Sequence, residues 1–159
     1  MKDCGFQEMK NRLVLSLIII VGAFGFTSLA DQNDSECINL YIDYGPLNQD
    51  KKVISCIPSD KAYAIDVLRE GGIAVEGTDR YGLDVVCRVE GLPGPDIEQC
   101  KNMPPENAYW AIIVKDKFSL INLFPKWGWA QLGVADLELN QGDSLGLVFV
   151  KDGDLKWPD

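Results

Sequence analysis

Hydrophobic and polar residues alternate one by one from Cys37 to Gly45 (CINLYIDYG), with Ile38, Leu40 and Ile42 on one side and Asn39, Tyr41 and Asp43 on the other. Period two is the mark of a strand with one buried face. The turn formers Gly45-Pro46-Leu47-Asn48-Gln49-Asp50 follow, and Val53 to Ile57 (VISCI) reads as the returning strand of a hairpin. With Val53 and Ile57 facing inward, Cys56 points to the opposite face. Cys37 opposes Ile38 in the same way, so the two sulfurs can meet outside the core.

The period then changes. In PSDKAYAIDVLREGG, Ala64, Ile65 and Leu68 form one apolar stripe, which predicts a helix with Ser59 as its N-cap and Asp60 complementing its dipole. Gly71-Gly72 ends it. After an apolar link (IAVEGTDR), Leu83 to Val89 (LDVVCRV) predicts a third strand, which Gly91-Leu92-Pro93-Gly94-Pro95 forces out of any ladder. The chain returns through Cys100 and Pro104-Pro105 to a fourth strand at Tyr109 to Lys115 (YWAIIVK). Phe118 to Trp129 is aromatic and interrupted by proline, so it has partial strand character. Asn140-Gln141-Gly142-Asp143 leads into the closing strand, Leu145 to Val150 (LGLVFV), and DGDLKWPD reads as a loose tail.

Two strands, a helix and then several strands is an α+β order, a mixed sheet with one helix packed on a face. The β-grasp, a sheet curled around one helix, is the commonest home for it. The core is expected over about 36–150 of a single domain at 31–159. Residues 1–30 stand apart. The apolar run Leu13 to Phe26 follows Lys10 and Arg12 and leads to Ser28-Leu29-Ala30, the pattern of a secretory signal peptide cut after Ala30. A retained membrane anchor is the other reading of this segment. Met9-Lys10-Asn11-Arg12 is a more typical leader start than Met1, and a start at Met9 removes Cys4. An exported, extracellular or cell-surface protein is therefore expected.

Charge narrows the partners. The chain carries a net charge of −9, which becomes about −10 once three basic and two acidic side chains leave with residues 1–30. Nucleic acid and anionic lipid both call for a basic footprint, so neither is expected. In an exported chain the four remaining cysteines, Cys37, Cys56, Cys87 and Cys100, make two disulfides the expectation. Three connectivities are open. Pairing Cys37 with Cys56 and Cys87 with Cys100 is favoured, because each pair flanks one strand-turn-strand or strand-loop unit. No metal site is expected, since the chain has no CxxC and no histidine. Asn33-Asp34-Ser35 is a formal glycosylation sequon, of use in a eukaryotic secretory pathway.

The succession IDYGPL, a cysteine on the second strand, a helix ending in Gly-Gly, YGLDVVCRVEGLPG, CKNMPPENAYW, WGWAQLG and a closing Gly-Asp turn resembles the transcobalamin-like C-terminal domain family. The likeness is to its small secreted bacterial members and runs over about Cys37 to Val150. It implies a β-grasp fold with a bridge between Cys87 and Cys100. It also implies corrinoid as a ligand, because in vitamin B12 carriers the related domain is one half of a clamp on cobalamin. The chain departs from the family pattern at Ala111-Ile112-Ile113, where a further aromatic is usual. It also carries an inserted KFSLINLFPK before Trp127.

The candidate ligand-binding residues are Tyr109, Trp110, Trp127, Trp129 and Gln131. Alternation puts Trp127 and Trp129 on one face and Tyr109 and Trp110 on opposite faces. Flat rings with an amide nearby suit a planar ligand, a sugar or a protein partner such as a transporter. The same rings could instead fill the core and cover the disulfide. Catalysis is not expected: without histidine a base must be Lys, Asp or Glu, and the carboxylates worth testing are Asp84 and Asp143. No phosphate loop, Gly-x-Ser-x-Gly or His-Glu-x-x-His occurs, so no cofactor is implied beyond a corrinoid ligand.

Overall fold

The computed structural model describes residues 37–47, 50–58, 61–117 and 123–158, with Ser55 and Lys61 described for their backbone alone. The expected leader, the sequon at Asn33, the expected cap Ser59 with Asp60, and the segment from Phe118 lie outside the described residues up to 122. The protein is a mixed α+β structure dominated by sheet. Its strands are β1 (Cys37–Asp43), β2 (Lys52–Pro58), β3 (Lys61–Tyr63), β4 (Val75–Thr78), β5 (Gly82–Val89), β6 (Ala108–Lys115), β7 (Gly128–Trp129), β8 (Glu138–Asn140) and β9 (Ser144–Lys151). The helix α1 is Ala64–Glu70.

The main sheet has the order β2-β1-β9-β6-β7, with β1 and β9 parallel at its centre and every other neighbour antiparallel. Burial explains the position of β9. Leu145 to Val150 is buried at every residue, which suits a strand covered on both faces, whereas β1 keeps the alternating pattern of its sequence. One face carries Ile38, Leu40, Ile42, Leu145, Leu147 and Phe149, packed with Val67 and Leu68 of α1. Each fully buried leucine or isoleucine of this kind contributes about 1.5–3 kcal/mol. A second cluster, Ala111, Ile113, Val148 and Val150, lies on the opposite face beneath Tyr41, Tyr109, Trp127 and Leu155.

The structure corrects the expected inner face of β2 first. Val53 was expected inside, yet it is 65% exposed while Ile57 is buried. The register explains this: Ile38 pairs with Ile57 but Leu40 pairs with Ile54, so β2 carries one extra residue and its alternation flips. Cys56 sits at the bulge with φ +64°, and its N–H donates to the side chain of Asn39 across it at 3.1 Å. Its partner Cys37 is 4% exposed rather than outside the core.

The helix is shorter than expected and has no side-chain cap. Lys61–Tyr63 is instead a strand paired with β8, and Tyr63 is the N-cap. The first helical donors are satisfied by distant backbone: Ala64 N–H donates to the Leu137 carbonyl at 2.8 Å and Ile65 N–H to that of Val134 at 2.9 Å. The Gly-Gly stop is as expected. Gly72 takes φ +72°, its N–H reaches the Arg69 carbonyl, and Ile73 N–H reaches that of Leu68, a Schellman ending closed by apolar packing.

The expected third strand, β5, does not join the main sheet; it pairs with β4, which lies inside the supposed link. Both disulfides have the favoured pairing, Cys37 with Cys56 and Cys87 with Cys100. The last residues come back onto the fold, with Asp152 N–H donating to the Asn107 carbonyl at 2.8 Å and Leu155 packing on the second cluster.

Candidate functional site

The stretch Cys100 to Trp110 leaves the strand β5 side of the molecule and enters the main sheet. Its start is tied to β5 by the Cys87–Cys100 bridge. Arg88, next to that bridge, gathers the intervening loop: its guanidinium donates to the carbonyls of Pro93 at 3.1 Å and Glu98 at 2.6 Å, and pairs with Glu76 at 3.0 Å. Glu98 is 5% exposed and accepts the Cys100 N–H at 2.6 Å. The loop therefore has few ways to move, and Ala108 N–H closes it on the Pro105 carbonyl at 3.0 Å.

Strand alternation then separates the two rings as expected. Trp110 is 5% exposed, donates its indole N–H to the Leu92 carbonyl at 3.0 Å, and packs edge-on against Tyr44 and Phe149. Tyr109 faces the other side, half-buried against the second cluster. On the outer edge of β6 the two-residue β7 pairs with Ile113 and Val114, and Ala130 N–H adds a bond to the Ile112 carbonyl at 3.0 Å. The chain then turns away and presses Gly133 against the backbone of Asp84.

What remains open between these segments is a cleft of about 610 Å³. Asp84–Val86 form one wall, Met103–Glu106 with Tyr109–Ile112 another, and Trp129–Gly133 the third. Of the residues singled out from sequence, Tyr109, Trp110, Trp129 and Gln131 all line it. Trp129 is 48% exposed and meets Trp157 edge-on at 5.9 Å, so the terminal segment supports the rim. Gln131 turns its amide back to the Trp129 carbonyl at 3.3 Å. Trp110 is both core filler and cleft lining.

Trp127 is not brought to the cleft. It packs on the outer face of the sheet, 6.2 Å from Tyr41, with the Lys115 ammonium 5.9 Å from its ring centre. Period two holds, since Trp129 lies opposite Ile113 of the same outer-face cluster that carries Trp127, but Trp127 neighbours Tyr41 while Trp129 meets Trp157. Sequence reasoning missed Met103 and Leu132, which line the cleft and are more than half exposed. A loop stapled to one strand and leading into another was the signal available for Met103.

Of the two carboxylates, Asp84 lines the cleft and is exposed. Asp143 is a turn fastener: it accepts the N–H groups of Lys117 at 3.0 Å and Asn140 at 2.8 Å. A cluster of Glu76, Cys87 and Cys100 has the spacing of metal ligands, but its sulfurs are joined to each other and offer no thiolate.

Two charged networks lie elsewhere. Burial pushes the Asp43 carboxyl up, and the Lys51 ammonium at 2.7 Å, the Gly45 N–H and Tyr41 outweigh it, leaving it below the usual carboxylate range. Glu90 is likewise pushed up by burial and brought lower overall by Lys52 at 2.6 Å and by the Tyr44 hydroxyl, which donates to it. Burial and Glu90 together raise Tyr44.

The fold and cleft define a disulfide-stapled α+β domain with an aromatic recess at one sheet edge. Two bridges of this kind belong to an oxidising compartment, and no helix among the described residues is long and apolar enough to cross a membrane. No protein-family model, curated protein or solved structure matches the chain.

Proposed function

We propose that the protein is an exported, non-catalytic binding module on a β-grasp fold, akin to transcobalamin-like C-terminal domains, with its ligand in the cleft beside β6. The strand order β2-β1-β9-β6-β7 around a parallel central pair, with one helix on a face, supports the β-grasp reading. The leader-like segment and the disulfides support export.

One observation carries the function: Tyr109 of β6 and Trp129 with Gln131 of the opposing wall converge on a cleft that Trp110 also lines. Its volume, about 610 Å³, suits a small ligand held on apolar and aromatic walls. By family likeness the first ligand to test is a corrinoid. Titrating tryptophan fluorescence with cobalamin and with cobinamide tests it. A saturable change that Trp129→Ala abolishes is expected, and an unchanged signal at high ligand concentration rejects the corrinoid.

A second reading, a cell-surface domain docking to a transporter or another exported protein, is favoured by exposed Met103, Leu132, Trp129 and Trp157 around the same recess. Loss of a membrane partner on Trp129→Ala, with no response to small ligands, would support it over the first.

A further inference from the structure

Three aromatic rings elsewhere on this protein stand beside cations of the same chain. Lys51 stands 5.7 Å from the centre of the Tyr41 ring, Arg80 5.2 Å from Tyr81 and Lys115 5.9 Å from Trp127. Among the described residues, the rings lining the cleft, Tyr109, Trp110 and Trp129, have no such cation. The charged side chains of the described lining are Asp84 and Glu106, both exposed and both acidic. The contrast with the neighbouring cavities is direct. A recess of about 540 Å³ beside Asp43 holds Lys51, Lys151 and Lys156 together with its carboxylates, and a smaller one contains Lys151.

We infer that the cleft takes a small organic cation, an ammonium centre on an apolar body, seated between the Tyr109 and Trp129 rings and the carboxylates of Asp84 and Glu106. The inference rests on the cleft being the ligand site and names the chemical class of the ligand. The physics is that of two attractions acting on one charge. A ring face draws a cation through its quadrupole, best at tryptophan, and the gain grows when the cation is partly desolvated. Carboxylates without a lysine beside them add a Coulomb term that a neutral ligand of the same shape cannot use. The apolar body is matched by Met103 and Leu132, which extend the aromatic wall. An anion of the same shape meets two like charges there and is excluded.

The test uses protein recovered from expression of the full chain under oxidising conditions, with three matched probes: benzyltrimethylammonium, benzyl alcohol and benzoate. Binding is followed by the four tryptophan indole N–H resonances. The ammonium should shift the Trp129 resonance saturably and leave that of Trp127 in place, with benzyl alcohol about tenfold weaker and benzoate without effect. The double change Asp84→Asn with Glu106→Gln should bring the ammonium down to the level of the alcohol. Both positions are exposed, so the fold is kept, and an unchanged indole spectrum in the free variant checks this. Equal binding of all three probes at Trp129, or binding that ignores the double change, overturns the cation while leaving the cleft as the ligand site. No shift at Trp129 with these probes or with corrinoids overturns both. Capture of a lysine-bearing peptide by the same residues, with no binding of the free ammonium, overturns the small-molecule form of the proposal.

Discussion

Gly133 lies so close to Asp84 that a side-chain carbon added to it would overlap the Asp84 backbone. The neighbour is main chain, not the end of a flexible side chain, so it cannot step aside cheaply. Gly133→Ala must either push the Trp129–Gly133 wall outward or displace β5. Overpacking of this sort costs about 1–3 kcal/mol. Urea unfolding should show that loss, together with weakened binding in the cleft. Gly128→Ala is the control, since an added carbon there meets nothing within 4 Å; its stability should stay within about 1 kcal/mol of the parent.

The tryptophans should divide by role. Trp110 is almost wholly buried, holds the Leu92 carbonyl and packs on Tyr44 and Phe149, so Trp110→Ala is expected to cost about 3–5 kcal/mol. Trp129 is half exposed, and its loss should change stability by less than about 1 kcal/mol while removing ligand response. Denaturant midpoints and the binding titration on the same two variants check both. A Trp129→Ala protein that is as unstable as Trp110→Ala would make Trp129 a structural residue.

How far this was legible from sequence differs along the chain. The faces of β1 and β6 follow directly from period two, which is why Tyr109 and Trp110 were correctly sent to opposite sides. The same rule failed on β2, because it counts positions and a bulge at Cys56 inserts one. The strands β3, β4 and β8 have three or four residues each, too few to display a period, and β3 and β8 exist through each other. That pairing, with the carbonyls of Val134 and Leu137, also replaced the expected helix cap. Such partners are far apart in sequence, so no local pattern announces them.

The site was legible as a set of residue types and less so as a place. Tyr109, Trp129 and Gln131 could be picked as candidates because exposed aromatic and amide groups suit recognition. That Asp84 stands across the cleft from them depends on where β5 crosses the edge of the main sheet. Trp127, two residues from Trp129 and on the same outer face, lies over Tyr41 and Lys115 rather than at the cleft.

The bridges should contribute by restricting the unfolded chain. The cysteines are separated by 19 residues in one pair and 13 in the other, spans for which a loop-closure model gives about 3 kcal/mol each. Replacing Cys87 and Cys100 together by serine should lower stability by that order. It should also loosen the Met103–Glu106 wall, since that loop begins at Cys100. Replacing Cys37 and Cys56 should lower stability comparably and leave the cleft intact. Thermal unfolding and the probe titration, run on both double variants, separate the two effects. Mass analysis of the parent should find no free thiol among these four residues.

Asp43 and Glu90 predict how stability depends on acid. Both carboxyls lie below their usual values of 3.8 and 4.5 in the folded protein. A carboxyl of lowered pKa contributes stability that is complete above its unfolded value and disappears as pH falls through its folded value. Unfolding free energy should therefore decline on acidification from about pH 5 downward. Glu90→Gln removes its share, so that variant should be less stable than the parent at pH 7 and converge on it at low pH. Tyr44 gives the opposite limb. Its hydroxyl is raised above 10.0 by burial and by Glu90, so its stabilisation is complete below pH 10 and is lost as pH rises further. Tyr44→Phe should flatten that alkaline decline without changing the acid one in the same way, since Glu90 keeps Lys52 at 2.6 Å. Urea titrations across both pH ranges check the pair, and parallel curves for parent and Glu90→Gln below pH 5 would show that this network carries no linkage to folding.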